Sequence, residues 1–230
     1  MRLFLLPFLL LFPTLLSAQD ARPVQCRLLS FGGSEDPPSV ISASGKGTEI
    51  TCPLSSSQIS QKITCFAVGN KIPFLSSADR KPLATATIPP GVGTALLVFI
   101  RMPGGPEATA PAWKILVIED TPKNFPDGGA FIANFHSQDI RFIIGEHKGM
   151  LHAGDFHGYA KPEEVDTFNM APVVFEFQQA DKWRIANESA LRFLGGMRYL
   201  IFAYVDPVSG RPRINTYQDM APPVPVKAAP

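Results

Sequence analysis

Apolar and polar residues alternate with a period of two along most of the chain, and that period predicts strands rather than helices. Residues 173–178 show it most cleanly, with Val173, Phe175 and Phe177 on one face and Val174, Glu176 and Gln178 on the other. Residues 25–31, 48–54, 62–68, 72–75 and 83–88 read as further strands, as do 182–187, 198–205, which is rich in apolar and aromatic residues, and 211–217. Two runs do not alternate: 94–101 (TALLVFIR) and 113–119 (WKILVIE) are almost continuously apolar. Strands of that kind are buried on both faces, and the pair reads as neighbours across a long hairpin. Residues 130–135, 140–144 and 150–152, separated by short polar turns, read as a three-strand meander. Gly69-Asn70, Pro89-Pro90-Gly91 and residues 206–210 (DPVSG) supply turn chemistry between the runs. Only 160–169 and 187–194 leave room for a helical turn or two, and no internal repeat of fixed period stands out. The expected fold is all-β: an antiparallel β-sandwich, immunoglobulin-like or related, with about a dozen short strands.

The first residues change the picture by setting a compartment. Arg2 precedes an apolar run over 3–16, broken by Pro7, Pro13 and Thr14; small Ser17-Ala18 and polar Gln19-Asp20 follow. This order is that of a secretory signal peptide. The run is shorter than the roughly 20 residues a membrane-spanning helix needs. Residues 1–18 are therefore expected to be removed. Residues 19–218 then form a single domain, subdivided, if at all, near the Pro- and Gly-rich stretch 102–112, and 219–230 form a proline-rich disordered tail. The formal net charge is +1, and zero once Arg2 is lost. A chain so balanced has no basic field for nucleic acid. The mature chain is expected to carry no transmembrane segment and to be periplasmic or extracellular.

Candidate chemistry is sparse. Of the three cysteines, Cys52 and Cys65 each share a strand face with apolar neighbours on runs close in sequence, which makes them the disulfide candidate, with Cys26 as a competing partner. In the chain-entropy picture so short a loop contributes about 3 kcal/mol. All four histidines fall between positions 136 and 157, and His147, His152, Asp155 and His157 are the candidate metal ligands, of a type that suits zinc or copper. Their spacing argues against a site, because residues five apart on a strand point to opposite faces. Glu163, Glu164 and Asp166 read as a solvated acidic loop, and no Gly-x-Ser-x-Gly elbow is present. Trp183, Tyr199, Tyr217, Arg211 and Arg213 lie on the last three predicted strands and form the candidate binding set, since aromatic platforms on sandwiches grip sugars or proteins.

Three stretches, residues 124–134 (NFPDGGAFIAN), 139–145 (DIRFIIG) and 206–213 (DPVSGRPR), are similar to a group of uncharacterised exported β-rich proteins of verrucomicrobial-type bacteria. The resemblance spans roughly residues 90 to 218. It implies a periplasmic or outer location and brings no activity, cofactor or functional residue. The expected function is therefore non-enzymatic: an exported β-sandwich with a binding or envelope-structural role, no cofactor, and an envelope protein or polysaccharide as partner. The alternatives are a metal-dependent hydrolase using the 136–157 segment and a carbohydrate-binding module.

Overall fold

The apolar runs become strands, and the turn residues separate them. In the computed structural model, residues 21–32, 39–43, 49–102, 112–179 and 181–220 are described. The first half contains β1 (Ala21–Phe31), β2 (Val40–Ala43), β3 (Glu49–Cys52), β4 (Ile63–Val68), β5 (Lys71–Ser76), β6 (Pro82–Thr87), β7 (Thr94–Met102) and β8 (Ala112–Glu119). The second contains β9 (Ala130–Asn134), β10 (Ile140–Ile144), β11 (His147–Leu151), β12 (Phe156–Tyr159), β13 (Met170–Gln179), β14 (Lys182–Arg192), β15 (Met197–Val205) and β16 (Pro212–Met220). The described residues contain no helix. Residues 188–192 continue β14 instead of turning helical, and 160–169 form a loop. The expected export segment and the tail beyond 220 lie outside the described residues, as does most of the 102–112 stretch.

The all-β sandwich architecture is as the periodicity predicts, but it is doubled. Strands β4-β1-β7-β8 hydrogen-bond in that order, and β12-β9-β15-β16 do the same. Strands β3-β2-β5-β6 form a second layer in the first half, and β11-β10-β13-β14 repeat it in the second. Every pairing keeps its sense: β1–β7 and β9–β15 are parallel, and all the others are antiparallel. Gln25 faces Thr94 and Ala130 faces Tyr199, so parallel partners are equally far apart in both halves (94 − 25 = 199 − 130). The halves differ at one joint. A tight Gly69-Asn70 turn leaves Val68 paired with Lys71, which fuses the two layers of the first half into one sheet. In the second half the longer loop 160–169 leaves the layers separate.

Strand β9 does not join β10 and β11 in a meander; it pairs with β12 and β15, and the chain changes sheets between Asn134 and Ile140. The sheets are also not purely antiparallel, because each half places one parallel pair at its centre. Among the central strands β7 and β15 carry the longest apolar runs for a physical reason: they are covered on both faces. Strand β8, the other run expected to be buried on both faces, ends the hydrogen-bonded order instead, and Ile118 alone of its described side chains is buried. Cys26 and Leu28 of β1, with Leu97 and Phe99 of β7, point into the core of the first half. Leu29, Phe31, Leu96 and Val98 point the other way, into a core shared with Phe131 and Ala133 of β9 and Leu200 and Phe202 of β15. A third core, built on Phe142, Phe175, Phe193 and Ile201, fills the second half.

Some positions tolerate only glycine. A Cβ on Gly129 would lie 2.1 Å from the Tyr159 carbonyl oxygen, and one on Gly158 would lie 2.1 Å from that of Asn124. Backbone, unlike a side-chain tip, cannot swing aside. Gly158→Ala is expected to cost about 2 kcal/mol or more, at the upper end of ordinary substitutions. Chemical denaturation measures the loss, and a variant within about 0.5 kcal/mol of wild type would show that β12 slides freely.

Candidate binding face

The candidate metal ligands are dispersed by the strands that carry them. His147 opens β11, and its Nε2 lies 3.0 Å from the Ala160 carbonyl oxygen and 3.6 Å from Glu146 Oε1. His152 Nδ1 meets Asp139 Oδ2 at 3.0 Å. His157, on β12, sets its ring edge-on to Tyr159 at 4.9 Å between centroids. Asp155 is exposed and takes part through its carbonyl, which accepts the Asn134 N–H at 2.9 Å. Among the described residues no group of three or more His, Cys, Asp or Glu side chains is arranged to hold a metal ion. The segment is organised instead around buried Asn134, whose Nδ2 donates to the carbonyls of Gln138, Leu151 and His152 at 2.9 to 3.1 Å. Of the acidic group, Glu163 and Glu164 donate backbone N–H bonds to Glu146, and these hold the Glu146 carboxyl below its ordinary range.

The candidate binding residues also separate. Tyr199 is buried in the core of the second half, and its hydroxyl donates to the Arg192 carbonyl at 2.8 Å. Tyr217 is buried in the shared core, and burial, with a lesser contribution from Tyr204, pushes its hydroxyl up to about 12. Arg211 and Arg213 stand exposed near the 206–210 turn, with Arg213 Nε 3.8 Å from Asp206. Trp183 alone lies half-buried on an open sheet face.

That face is the outer side of the β11-β10-β13-β14 sheet, and register builds it. Ile140, Phe142 and Ile144 of β10, and Val173, Phe175 and Phe177 of β13, turn inward. Alternation therefore turns Arg141, Ile143, Val174, Glu176 and Gln178 outward. Arg141 faces Met150 on one side and Glu176 on the other, and Glu176 faces Ile185, so four side chains make one row across the sheet. Gln178 faces Trp183 in the next row. The Arg141 guanidinium carbon lies 4.2 Å from the centre of the Trp183 ring, within cation–π range. Ile185 is 58% exposed and Met150 47%, which is unusual for side chains of their size. The sequence pairs Trp183 with Ile185 by alternation, but Arg141 and Met150 join them only through the pairing of four strands.

No helix among the described residues is long and apolar enough to cross a membrane. No protein-family model matches the chain, and no curated protein matches it either.

Proposed function

We propose that the protein is an exported, non-enzymatic binding module whose partner is another polypeptide of the cell envelope, held on the outer face of β10, β13 and β14. The observation that carries this reading is the Arg141–Trp183 stack, flanked by exposed Ile185 and Met150. Tryptophan and arginine dominate the energetics of protein interfaces because they combine large area with directed polar groups. A rigid sheet presenting both loses little freedom on binding. The stack also weakens the carbohydrate alternative. A sugar needs an open ring face to lie on, and here a guanidinium already covers one face of the indole.

The test is a photo-crosslinking amino acid placed at Ile185 in the exported protein, with Val208, 88% exposed on the turn between β15 and β16, as the control position. A discrete protein adduct from position 185, absent from 208 and lost on Trp183→Ala, is the expected result. The stack contributes about 0.5–1 kcal/mol at an exposed site, so Trp183→Ala should leave the thermal midpoint nearly unchanged while weakening binding tenfold or more. Glycan-array binding that disappears in Trp183→Ala would overturn the polypeptide assignment. Stoichiometric zinc or copper, lost on replacing His147, His152 and His157, would overturn the non-enzymatic one.

A further inference from the structure

The three cysteines are free and buried in the core of the first half, so the disulfide expected between Cys52 and Cys65 is not formed and no thiol faces a partner. The outer face of the β11-β10-β13-β14 sheet, by contrast, is open and patterned about its midline, which runs between the central strands β10 and β13. The row Met150–Arg141–Glu176–Ile185 reads apolar, cation, anion, apolar. The neighbouring outward row, Lys148–Ile143–Val174–Glu188, reads cation, apolar, apolar, anion. Cations therefore stand on the β11-β10 side and anions on the β13-β14 side, and each apolar side chain has an apolar counterpart across the midline. Lys148 and Glu188 are exposed, and among the described residues neither they nor Glu176 make an ion pair. Arg192 also turns outward, opposite Met170, but it lies beyond the ends of β10 and β11 and outside both rows.

A two-fold axis laid along the midline turns a second copy face to face with the first and sets each position opposite its counterpart across the midline. The interface is then isologous, and every contact occurs twice. Lys148 meets Glu188 of the second copy, and Arg141 meets Glu176. Ile143 and Val174 meet at the midline, and Met150 meets Ile185 at the flanks. Aligned sheets cross at about 30°, which moves the outer positions by only a few ångströms, a distance that Lys and Glu side chains span. An axis laid across the strands, between the two rows, does the opposite: it sets Lys148 against Met150, Arg141 against Ile143, Glu176 against Val174 and Glu188 against Ile185, so every charge meets an apolar side chain.

We propose that the polypeptide bound on this face is a second copy of the same chain, in a face-to-face two-fold dimer whose axis follows the strands. The inference rests on the reading of this face as a polypeptide-binding surface, and charge complementarity selects the occupant. A face four strands wide and five residues long covers roughly 300–400 Å² in projection. That is small beside the roughly 800 Å² per partner of a standard interface, so the dimer forms at micromolar rather than nanomolar concentration.

Sedimentation velocity of the purified protein, over a series from low to high micromolar, is expected to show a reversible monomer–dimer equilibrium. Lys148→Glu and Glu188→Lys should each weaken it about tenfold or more, because like charges then face one another twice. An equimolar mixture of the two variants should dimerise as wild type does, since every reversed charge meets its opposite. Arg141→Glu and Glu176→Arg repeat the test in the next row, and circular dichroism reports that each variant is folded. A photo-crosslinking amino acid at Ile185 should give an adduct of twice the chain mass, joined to the peptide that contains Met150. Within one chain those two positions are three strands apart, about 14 Å. A protein that stays monomeric, a dimer indifferent to the charge reversals, or a mixture that is not restored would overturn the second-copy assignment. An adduct of another mass from a monomeric protein would overturn it too, while leaving the polypeptide reading in place; no adduct at all from position 185 would overturn both.

Discussion

Asp219→Ala is expected to destabilise the protein by about 3–5 kcal/mol, the range for removing one partner of a buried ion pair. Asp219 on β16 is 4% exposed and accepts from both arginines that face it. Arg27 on β1 approaches it through two nitrogens at 2.6 and 2.9 Å, and Arg198 on β15 through two more at 2.6 and 3.1 Å. Asp120, just after β8, closes the ring with contacts of 2.9 Å to Arg27 and 3.0 Å to Arg198. Arg198 also donates to the Phe125 carbonyl at 2.9 Å and stacks on its ring at 3.9 Å. Two positive and two negative groups thus balance at the seam between the halves, and removing Asp219 leaves two guanidinium groups buried with one carboxylate. Burial alone would raise the Asp219 carboxyl, but hydrogen bonds and charge from Arg27, then Arg198, outweigh it and hold the group below the usual carboxylate range. A carboxyl depressed in the folded state stabilises that state above its unfolded value of about 3.9 and loses the contribution as pH falls through the folded value. Wild type should therefore hold its stability near neutrality and lose it below about pH 4. Asp219→Asn should be weaker at pH 7 and show a shallower acid slope. Urea titrations between pH 2.5 and 7 read both quantities. Equal acid slopes in the two proteins would remove Asp219 from the account.

Little of that ring is visible in the sequence, and the reason is distance along the chain. Arg27 and Asp219 are 192 positions apart, and nothing local distinguishes Asp219 from the proline-rich tail in which the sequence reading places it. Strand identity, by contrast, is a local property. Continuous apolarity predicts that β7 is covered on both faces, and alternation predicts which residues of β13 turn inward, because both follow from the pleat. Strands β2 and β12 escape the pattern. Each is four residues long, β2 emerges from a serine- and glycine-rich segment, and β12 contains Gly158, which suits the Asn124 backbone rather than a core. The doubling escapes for a different reason: equivalent places need the same face, not the same residue. Asp120 and Asp219 do match, since the Asp120 N–H bonds to the Thr94 carbonyl on β7 as Asp219 pairs with Arg198 on β15. Their neighbours do not match. Thr94 stands where the second half has Arg198, and Arg27 where it has Phe131, by the register of the two parallel pairs. The proposed binding face is half legible, because Trp183 and Ile185 share one strand while Arg141 and Met150 arrive from others.

Phe202→Ala is expected to cost about 3–5 kcal/mol and to change how the protein unfolds. Phe202 is wholly buried on β15 in the core shared by the two halves. Its ring centroid lies 4.9 Å from that of Phe31 on β1, 5.1 Å from Phe135 and 5.6 Å from Tyr217. Truncation removes both the transfer free energy and the packing of that cluster, and the surrounding strands, each held in a hydrogen-bonded sheet, collapse only partly into the space. Each half also has a core of its own, built from the opposite faces of the same central strands. The halves therefore have the means to hold structure separately once the seam is loosened. Wild type should unfold in one transition, because the shared core and the charged ring make loss of either half costly to the other. In Phe202→Ala the transition should broaden or split, with different midpoints from the two tryptophans, Trp113 in the first half and Trp183 in the second. Trp113→Phe and Trp183→Phe backgrounds separate the two fluorescence signals, and differential scanning calorimetry measures the cooperativity directly. Phe99→Ala provides the contrast: Phe99 is equally buried, but inside the core of the first half, in edge contact with Phe74 at 5.1 Å. It should destabilise by a similar amount while weakening chiefly the half that contains Trp113. If both variants unfold in a single unbroadened transition, the halves behave as one cooperative unit and the seam is no weaker than the cores it joins.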